Sequence, residues 1–318
     1  MTDWPNHAEA WRQWRDAMGG ERMHHGWLLA GKEGLGKRDF AMAAARELVA
    51  EPGVPQPAGD HPDIIILTYG PKDDKAEKAQ ADGKPFDLAR SIRIKQIRAM
   101  QRRLITRPTL GSRRAIIIDP ADDMEKAAAN ALLKSLEEPP AGTFFLLVTH
   151  RPARLLPTIR SRCRTLRFPV LTDRQIAAML DAEGVPPDPA AIAAAEGSFG
   201  AALRFAEQDL APIARQIEEL LARGDGNFAG RGELARLIGS RADRERVQAV
   251  LDLAQGLVAR AARTSGDEQR CARLIDAHGA LVALAAEAPT ANFDPGMLPF
   301  EIGSLLVAAA PASEPAHG

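Results

Sequence analysis

The chain has 318 residues, a formal net charge of −1 at pH 7, 45% hydrophobic residues and 26% charged residues. The length and composition are typical of a globular protein of two or three domains. The net charge excludes a general polyanion-binding role, so any nucleic-acid contact has to come from a local basic patch. Two widely separated cysteines, Cys163 and Cys271, exclude a disulfide framework and a four-cysteine zinc site. We expect a cytoplasmic protein without a membrane segment, because no signal-peptide core and no apolar run of spanning length is present.

The first half of the chain alternates strand-like and helix-like segments. Long apolar runs separated by helical patterns predict a parallel sheet with helices on both faces. The segment 71–86 is charged and poor in aromatic residues, which predicts an exposed loop. The predicted strands are 26–31, 63–70, 113–122, 143–150 and 165–170, and the predicted helices between them are 37–49, 91–105 and 125–138.

After Val170 the strand-like segments stop and Ala- and Leu-rich helical patterns begin. This change in composition predicts a domain boundary at about 170, and a weaker break near 208–212 predicts a second one. We therefore expect an α/β domain over 1–169, a small helical domain over 170–209 and a larger helical domain over 210–309. The remaining residues, 310–318, are expected to form a disordered tail.

A glycine-rich stretch, "AGKEGLGKR" at 30–38, follows the first predicted strand and opens a helix. This is the context of a P-loop, in which backbone N–H groups and a lysine hold phosphates and a Ser or Thr hydroxyl holds Mg²⁺. Gly31, Gly34, Gly36 and Lys37 match that pattern and are the candidate nucleotide-binding residues. Arg38 stands where the hydroxyl should be, and a guanidinium repels Mg²⁺ instead of binding it.

A second nucleotide-site motif, "AIIIDPAD" at 115–122, has the form of a Walker B strand with Asp119 at the metal-binding position. Many ATPases carry a glutamate next, which polarises the attacking water, whereas this chain has Pro120. Loss of both the hydroxyl and the base predicts that the chain does not hydrolyse ATP. Nucleotide or phosphate binding without Mg²⁺ stays open, because Lys37 and a helix N-terminus attract anions by themselves.

Three stretches, "HHGWLLAGKEGLGKR", "IIIDPADDMEKAAANALLKSLEEPPAGTFFLLVTHRPARLLPTIRSRC" and "GSFGAAL", together resemble the delta-prime subunits of the bacterial DNA polymerase III clamp loader, which are AAA+ proteins. The resemblance covers about 24–205. It implies an AAA+ α/β domain followed by a helical lid and an all-α collar that joins an oligomer. These three parts would correspond to 1–169, 170–209 and 210–309.

The resemblance also implies a function. Such subunits assemble with gamma or tau and delta subunits to load the β sliding clamp onto primed DNA, within the cytoplasmic, nucleoid-associated DNA polymerase III holoenzyme, a DNA-directed DNA polymerase. Their "SRC" motif, here Ser161-Arg162-Cys163, supplies an arginine finger to ATP held by a neighbouring subunit, which makes Arg162 the candidate catalytic residue. The alternative for Arg162 is a solvated basic edge. Two other functions stay open: a weakly active AAA+ ATPase with an unusual metal arrangement, and a free-standing P-loop protein that binds a nucleotide or phosphate.

The sequence departs from the family pattern at two further places. Relatives carry four cysteines before the His61-Pro62-Asp63 motif, and their absence here predicts that no zinc is bound. Gly200 stands where ATP-hydrolysing relatives have a sensor arginine, with Arg204 as a possible substitute. Thr149 occupies a sensor position, and a plain strand-end hydroxyl is the alternative.

Two amphipathic segments are further candidates. The helix at 91–105 has Lys95, Arg98 and Arg102 on the face opposite its apolar residues, which predicts either an ordinary surface helix or a face that tracks the phosphates of DNA. The N-terminal tryptophans, Trp4, Trp11 and Trp14, predict core packing.

Overall fold

The computed structural model describes residues 4–20, 22–239, 244–287 and 297–311. The chain divides into two compact units, Met1–Val170 and Leu171–Gly318. The predicted division of the helical part at 209/210 stays a prediction. Most of the predicted tail, residues 312–318, lies outside the described residues.

The first unit is an α/β domain. Its strands are β1 (Gly26–Ala30), β2 (Ile64–Leu67), β3 (Arg114–Ile118), β4 (Thr143–Thr149) and β5 (Arg164–Arg167). Its helices are α1 (Ala8–Gly19), α2 (Lys37–Val49), α3 (Asp74–Ala81), α4 (Ile94–Arg103), α5 (Lys126–Glu137) and the single turn α6 (Pro157–Arg160).

The five strands form one parallel sheet in the order β2-β3-β4-β1-β5. β1 and β3 are buried along their whole length, as expected for parallel strands with helices on both faces. β4 lies between them, and its register places Leu28 opposite Leu147. The carboxyl ends of β3, β4 and β1 are therefore neighbours at one edge of the sheet.

Alternate side chains of each strand enter two different cores. On one face Leu28, Ile116 and Phe145 pack with residues of α4, α5 and α6, such as Ile97 and Leu132. On the other face Trp27 meets Trp14 of α1 at 5.3 Å between ring centroids, and Phe40 of α2 lies beside the same cluster. The predicted fold class, a parallel sheet with helices on both faces followed by a helical region, is confirmed.

One segment differs from its prediction. Residues 71–86 were expected to be loop, but Asp74–Ala81 forms α3. The Asp73 carboxylate accepts a hydrogen bond from the Ala76 backbone N–H and so caps the helix N-terminus. The helix buries only Ala76 among its residues, which explains why no hydrophobic periodicity signals it in the sequence.

The second unit contains helices and no strand among its described residues. One hydrophobic cluster, from Ala191 to Ala309, forms its core. None of the helices in the described ranges of the chain is both long and apolar enough to cross a membrane. The helices are α7 (Asp173–Ala182), α8 (Pro189–Ala195), α9 (Phe199–Glu207), α10 (Ala211–Arg223), α11 (Ala229–Ile238), α12 (Arg244–Thr264), α13 (Glu268–Glu287) and α14 (Met297–Ala308).

Candidate functional site

The candidate nucleotide site lies at the carboxyl edge of the sheet. The glycine-rich loop joins the end of β1 to the start of α2 at Lys37, Asp119 follows β3, and Thr149 ends β4. Because β3, β4 and β1 are adjacent, the two predicted nucleotide motifs come together at this edge. The arrangement has the strand–loop–helix form in which backbone N–H groups face a phosphate.

The loop lysine is turned inward. Lys37 is only 2% exposed, and its Nζ donates hydrogen bonds to the backbone oxygens of Gly31 at 2.7 Å and Lys32 at 2.5 Å. Burial lowers the pKa of Lys37 to about 8, although the nearby carboxylates of Glu33, Asp119 and Asp122 oppose that shift. The amine thus stabilises the loop itself, and a phosphate would have to compete with two backbone carbonyls for it.

An ion pair fills the place where a metal ion would be coordinated. Arg38 Nη1 donates to Asp119 Oδ2 at 3.2 Å, and the Asp119 side chain is 11% exposed against 54% for Arg38. The carboxylate at the metal-binding position therefore already has a cationic partner within the chain. Mg²⁺ coordination by Asp119 would require this pair to break and a second cation to sit beside a guanidinium.

The N-terminal segment lies against the glycine-rich loop. Trp4 Nε1 donates to Asp39 Oδ2 at 3.0 Å, and its ring stacks on His7, whose Nε2 is 2.8 Å from the backbone oxygen of Leu35. Gly36 has φ +70°, and a Cβ there would lie 2.1 Å from the Trp4 ring. The glycine at 36 is thus required by the chain's own packing as well as by its backbone conformation. No signal in the sequence indicates this contact of Trp4.

The other loop glycines also have structural roles. Gly34 has φ +76°, in the left-handed region that favours glycine. At Gly31 a Cβ would come within 2.6 Å of the backbone oxygen of Phe168, which follows β5. The four predicted residues of the loop lie together between β1 and α2, and their role in nucleotide binding stays a prediction.

Two residues that sequence reasoning missed shape the end of β4. Asp122 accepts backbone hydrogen bonds from His150 at 3.1 Å and Arg151 at 3.0 Å, and so fixes the turn beyond the strand. Burial, and then the Lys37 cation, lower the pKa of His150, so that its ring is neutral at pH 7. Thr149 Oγ1 and His150 Nδ1 are buried with no hydrogen-bond partner among the described residues.

Arg162 lies at the opposite edge of the sheet. It precedes β5, and a Cβ on Gly26, the first residue of β1, would be 2.8 Å from the Arg162 backbone oxygen. The P-loop begins after the last residue of β1, so five residues rising about 3.3 Å each separate the two places by roughly 16 Å. Arg162 therefore cannot act on a phosphate held by its own P-loop.

The Arg162 side chain is partly exposed and is held by two contacts. Nη1 donates to the backbone oxygen of Thr158 at 2.9 Å, and Nη2 lies 2.8 Å from Glu137 Oε1. The neighbouring Cys163 is half-buried, and desolvation raises the pKa of its thiol to about 12. The thiol is therefore inert at neutral pH. Arg162 is the one cationic group of the Ser161-Arg162-Cys163 motif.

The family model for "DNA polymerase III, delta subunit" matches residues 6–172, which include both edges of the sheet. The delta-prime subunit of DNA polymerase III from Pseudomonas aeruginosa is 35% identical over 167 residues, covering 47% of this chain and 46% of that protein. The chain belongs to the DNA polymerase III delta-prime family. The predicted resemblance is confirmed, and this chain spans about half the length of the curated delta-prime relatives it matches.

This delta-prime family member is also similar to a protein with a different subunit name. The tau/gamma subunit from Haemophilus influenzae is 32% identical over 205 residues, covering 62% of this chain and 29% of that protein. Among solved structures, a gamma subunit-related protein from Thermotoga maritima aligns over 94% of this chain and 98% of that one, with 18% identity and a TM-score of 0.49.

Where delta-prime relatives are expected to hold zinc, this chain has a histidine whose two ring nitrogens are both hydrogen-bonded. His61 Nδ1 accepts a hydrogen bond from the Asp63 backbone N–H at 3.0 Å, so Nε2 carries the proton and donates to Gln56 Oε1 at 2.8 Å. No group of three His, Cys, Asp or Glu side chains within the described ranges is placed to hold a metal ion. The absence of bound zinc stays a prediction.

The remaining candidates are the predicted sensor position and the predicted basic face of α4. Gly200 lies in the first turn of α9, the helix that also carries Arg204. On α4, Arg98 and Arg102 are exposed, whereas Lys95 pairs with Glu77 of α3 at 2.8 Å. The basic face predicted from the sequence is therefore exposed, with one of its three charges neutralised.

Proposed function

We propose that this chain is a non-hydrolysing subunit of the DNA polymerase III clamp loader, which helps to load the β sliding clamp onto primed DNA. The observation that supports the non-hydrolysing role is the Arg38–Asp119 ion pair at the metal position. Pro120 supplies no base for the attacking water, and Lys37 is engaged by loop carbonyls. Together these features favour a subunit that has a structural role in an assembly and does not hydrolyse ATP itself.

The second part of the proposal is that Arg162 acts as an arginine finger in trans. Its position at the amino edge of the sheet, away from its own P-loop, supports action on a neighbouring chain. A guanidinium there offsets the charge that develops on a transferring phosphoryl group, and such fingers are worth about 10³–10⁵ in rate in other nucleotide hydrolases. The ATP would be held by a gamma or tau subunit, with delta completing the assembly.

A direct role in holding DNA is the third part. Arg98 and Arg102 are exposed on α4 and would contribute salt-dependent contacts with the phosphates of primed DNA. Lys95 contributes less, because Glu77 already neutralises it.

The first test is ATP hydrolysis by the purified chain, alone and after assembly with gamma or tau and delta. We expect no Mg²⁺-dependent turnover by the chain alone and stable co-purification with the partner subunits. Restoring the hydroxyl with Arg38→Thr should not create activity, since Pro120 still leaves the water unactivated. Turnover by the isolated chain that disappears with Lys37→Ala would contradict the proposal and support a weakly active ATPase.

A nucleotide-binding measurement distinguishes a clamp-loader subunit from the remaining alternative, a free-standing phosphate-binding protein. If the chain is a free-standing phosphate-binding protein, it should bind labelled ATP in EDTA, lose that binding with Lys37→Ala, and fail to assemble with the polymerase subunits. If it is a clamp-loader subunit, assembly is retained in the Lys37→Ala variant, because Lys37 is buried in its own loop and presents no surface to a partner.

A further inference from the structure

The Arg162 guanidinium contacts oxygens on two different elements. Thr158 belongs to α6, the turn that precedes the motif, and Glu137 is the last residue of α5. The Arg162 side chain is 34% exposed and that of Glu137 is 47% exposed. Both groups are therefore accessible to a partner while they remain in contact with each other.

The position of Glu137 is unfavourable for the helix that carries it. The C-terminus of a helix carries a partial negative charge, so a carboxylate in the last turn of α5 is destabilising unless a cation compensates it. Arg162 supplies that cation at 2.8 Å. The next residue, Glu138, is exposed, and its side chain forms no hydrogen bond or ion pair within the described ranges of the chain. Glu137 thus differs from Glu138 in forming an ion pair with Arg162.

The two contacts leave part of the guanidinium available. Arginine has five N–H donors in a planar fork. Nη1 donates to the Thr158 backbone oxygen and, at 3.5 Å, approaches Ser161 Oγ, while Nη2 forms an ion pair with Glu137. The Nε–H therefore has no acceptor among the described residues. The Nε side of the planar guanidinium is the kind of donor edge that recognises a phosphate.

We propose that Glu137 is a positioning residue for Arg162. Its carboxylate restrains the guanidinium and leaves the Nε–H available to a phosphate held by a neighbouring chain. The inference rests on the proposed in-trans role of Arg162. Without Glu137 the arginine keeps its charge but samples several rotamers. The guanidinium is then correctly placed against the negative charge of the transition state for only part of the time.

The test uses clamp- and DNA-stimulated ATP hydrolysis by complexes of matched subunit composition. We expect Glu137→Gln to lower kcat at the affected site by about twofold to fivefold, the range typical of partly exposed ion pairs, with KM for ATP unchanged. Glu137→Asp should recover part of the loss, because it keeps the charge on a shorter side chain. Glu138→Gln is the matched control and should behave as wild type. In an Arg162→Ala background, Glu137→Gln should have no further effect.

The outcomes distinguish failure of the in-trans role of Arg162 from failure of the positioning role of Glu137. If Arg162→Ala leaves the rate unchanged, the in-trans role fails. If Arg162→Ala lowers the rate but Glu137→Gln matches wild type, only the positioning role is overturned. A faster Glu137→Gln complex would mean that the carboxylate restrains the arginine, and an equal loss in the Arg162→Ala background would mean a purely structural role; either result would overturn the inference.

Discussion

The two edges of the same sheet use their cationic side chains in opposite ways. At the carboxyl edge Lys37 is bonded to its own loop and Arg38 to Asp119, with Trp4 packed against the loop glycine. At the amino edge Arg162 remains partly exposed, with contacts to Thr158 and Glu137. Under the proposed function, the carboxyl edge has lost its own chemistry, whereas the amino edge keeps a group that serves another chain.

The largest expected effect is the loss of stability when a buried structural arginine is replaced, compared with the loss when Arg162 at the amino edge is replaced. Arg114 begins β3, is almost fully buried, donates to the backbone oxygens of Arg103 and Arg107, and lies 3.7 Å from Asp63. Arg114→Met should lower the free energy of unfolding by about 3–5 kcal/mol, because it leaves a buried carboxylate without its cation. Arg162→Ala should cost about 1 kcal/mol or less. Chemical denaturation of both variants measures the difference, and equal losses would contradict the distinction.

A smaller effect, linked to pH, tests whether Lys37 is truly buried at the carboxyl edge. Its pKa is about 8 in the folded chain, whereas an unfolded lysine titrates near 10.4. Between these values the unfolded state binds more protons, so stability should rise with pH, by up to about 1.4 kcal/mol per pH unit. The measurement is the unfolding free energy of wild type minus that of Lys37→Met from pH 7 to 10.5. A flat difference would mean that the amine is exposed to solvent.

The smallest effect tests the contact between Trp4 and the loop. Gly36→Ala should cost about 1–2 kcal/mol for a positive φ, plus the displacement of the Trp4 ring, and it should alter tryptophan fluorescence. Gly53→Ala is the matched control, since Gly53 has φ +78° but nothing lies within 4 Å of the place its Cβ would take. It should cost less and leave the fluorescence unchanged. Identical behaviour of the two variants would show that Trp4 does not cover the loop.

The features that could be predicted from the sequence are those with local or periodic signals. Continuous apolar runs predicted the strands of the sheet, and the glycine spacing predicted the P-loop at the end of β1. The contacts that close the nucleotide site join residues far apart in the chain, such as Arg38 with Asp119 and Trp4 with Asp39, and spacing alone does not reveal them. Glu137 was missed for the same reason, because only the fold brings the end of α5 to the start of β5.

The in-trans role of Arg162 is best tested by ATP hydrolysis in assembled complexes that differ only at this residue. Wild type, Arg162→Ala and Arg162→Lys are compared with Arg160→Ala, an exposed arginine two residues earlier that serves as the control. We expect Arg162→Ala to lower the stimulated rate with assembly intact, Arg162→Lys to recover little because a point charge cannot replace the planar fork, and Arg160→Ala to match wild type. The loss should be partial, since the other sites of the complex are unaffected. Equal rates for all four complexes would contradict the in-trans role and leave Arg162 as a surface charge.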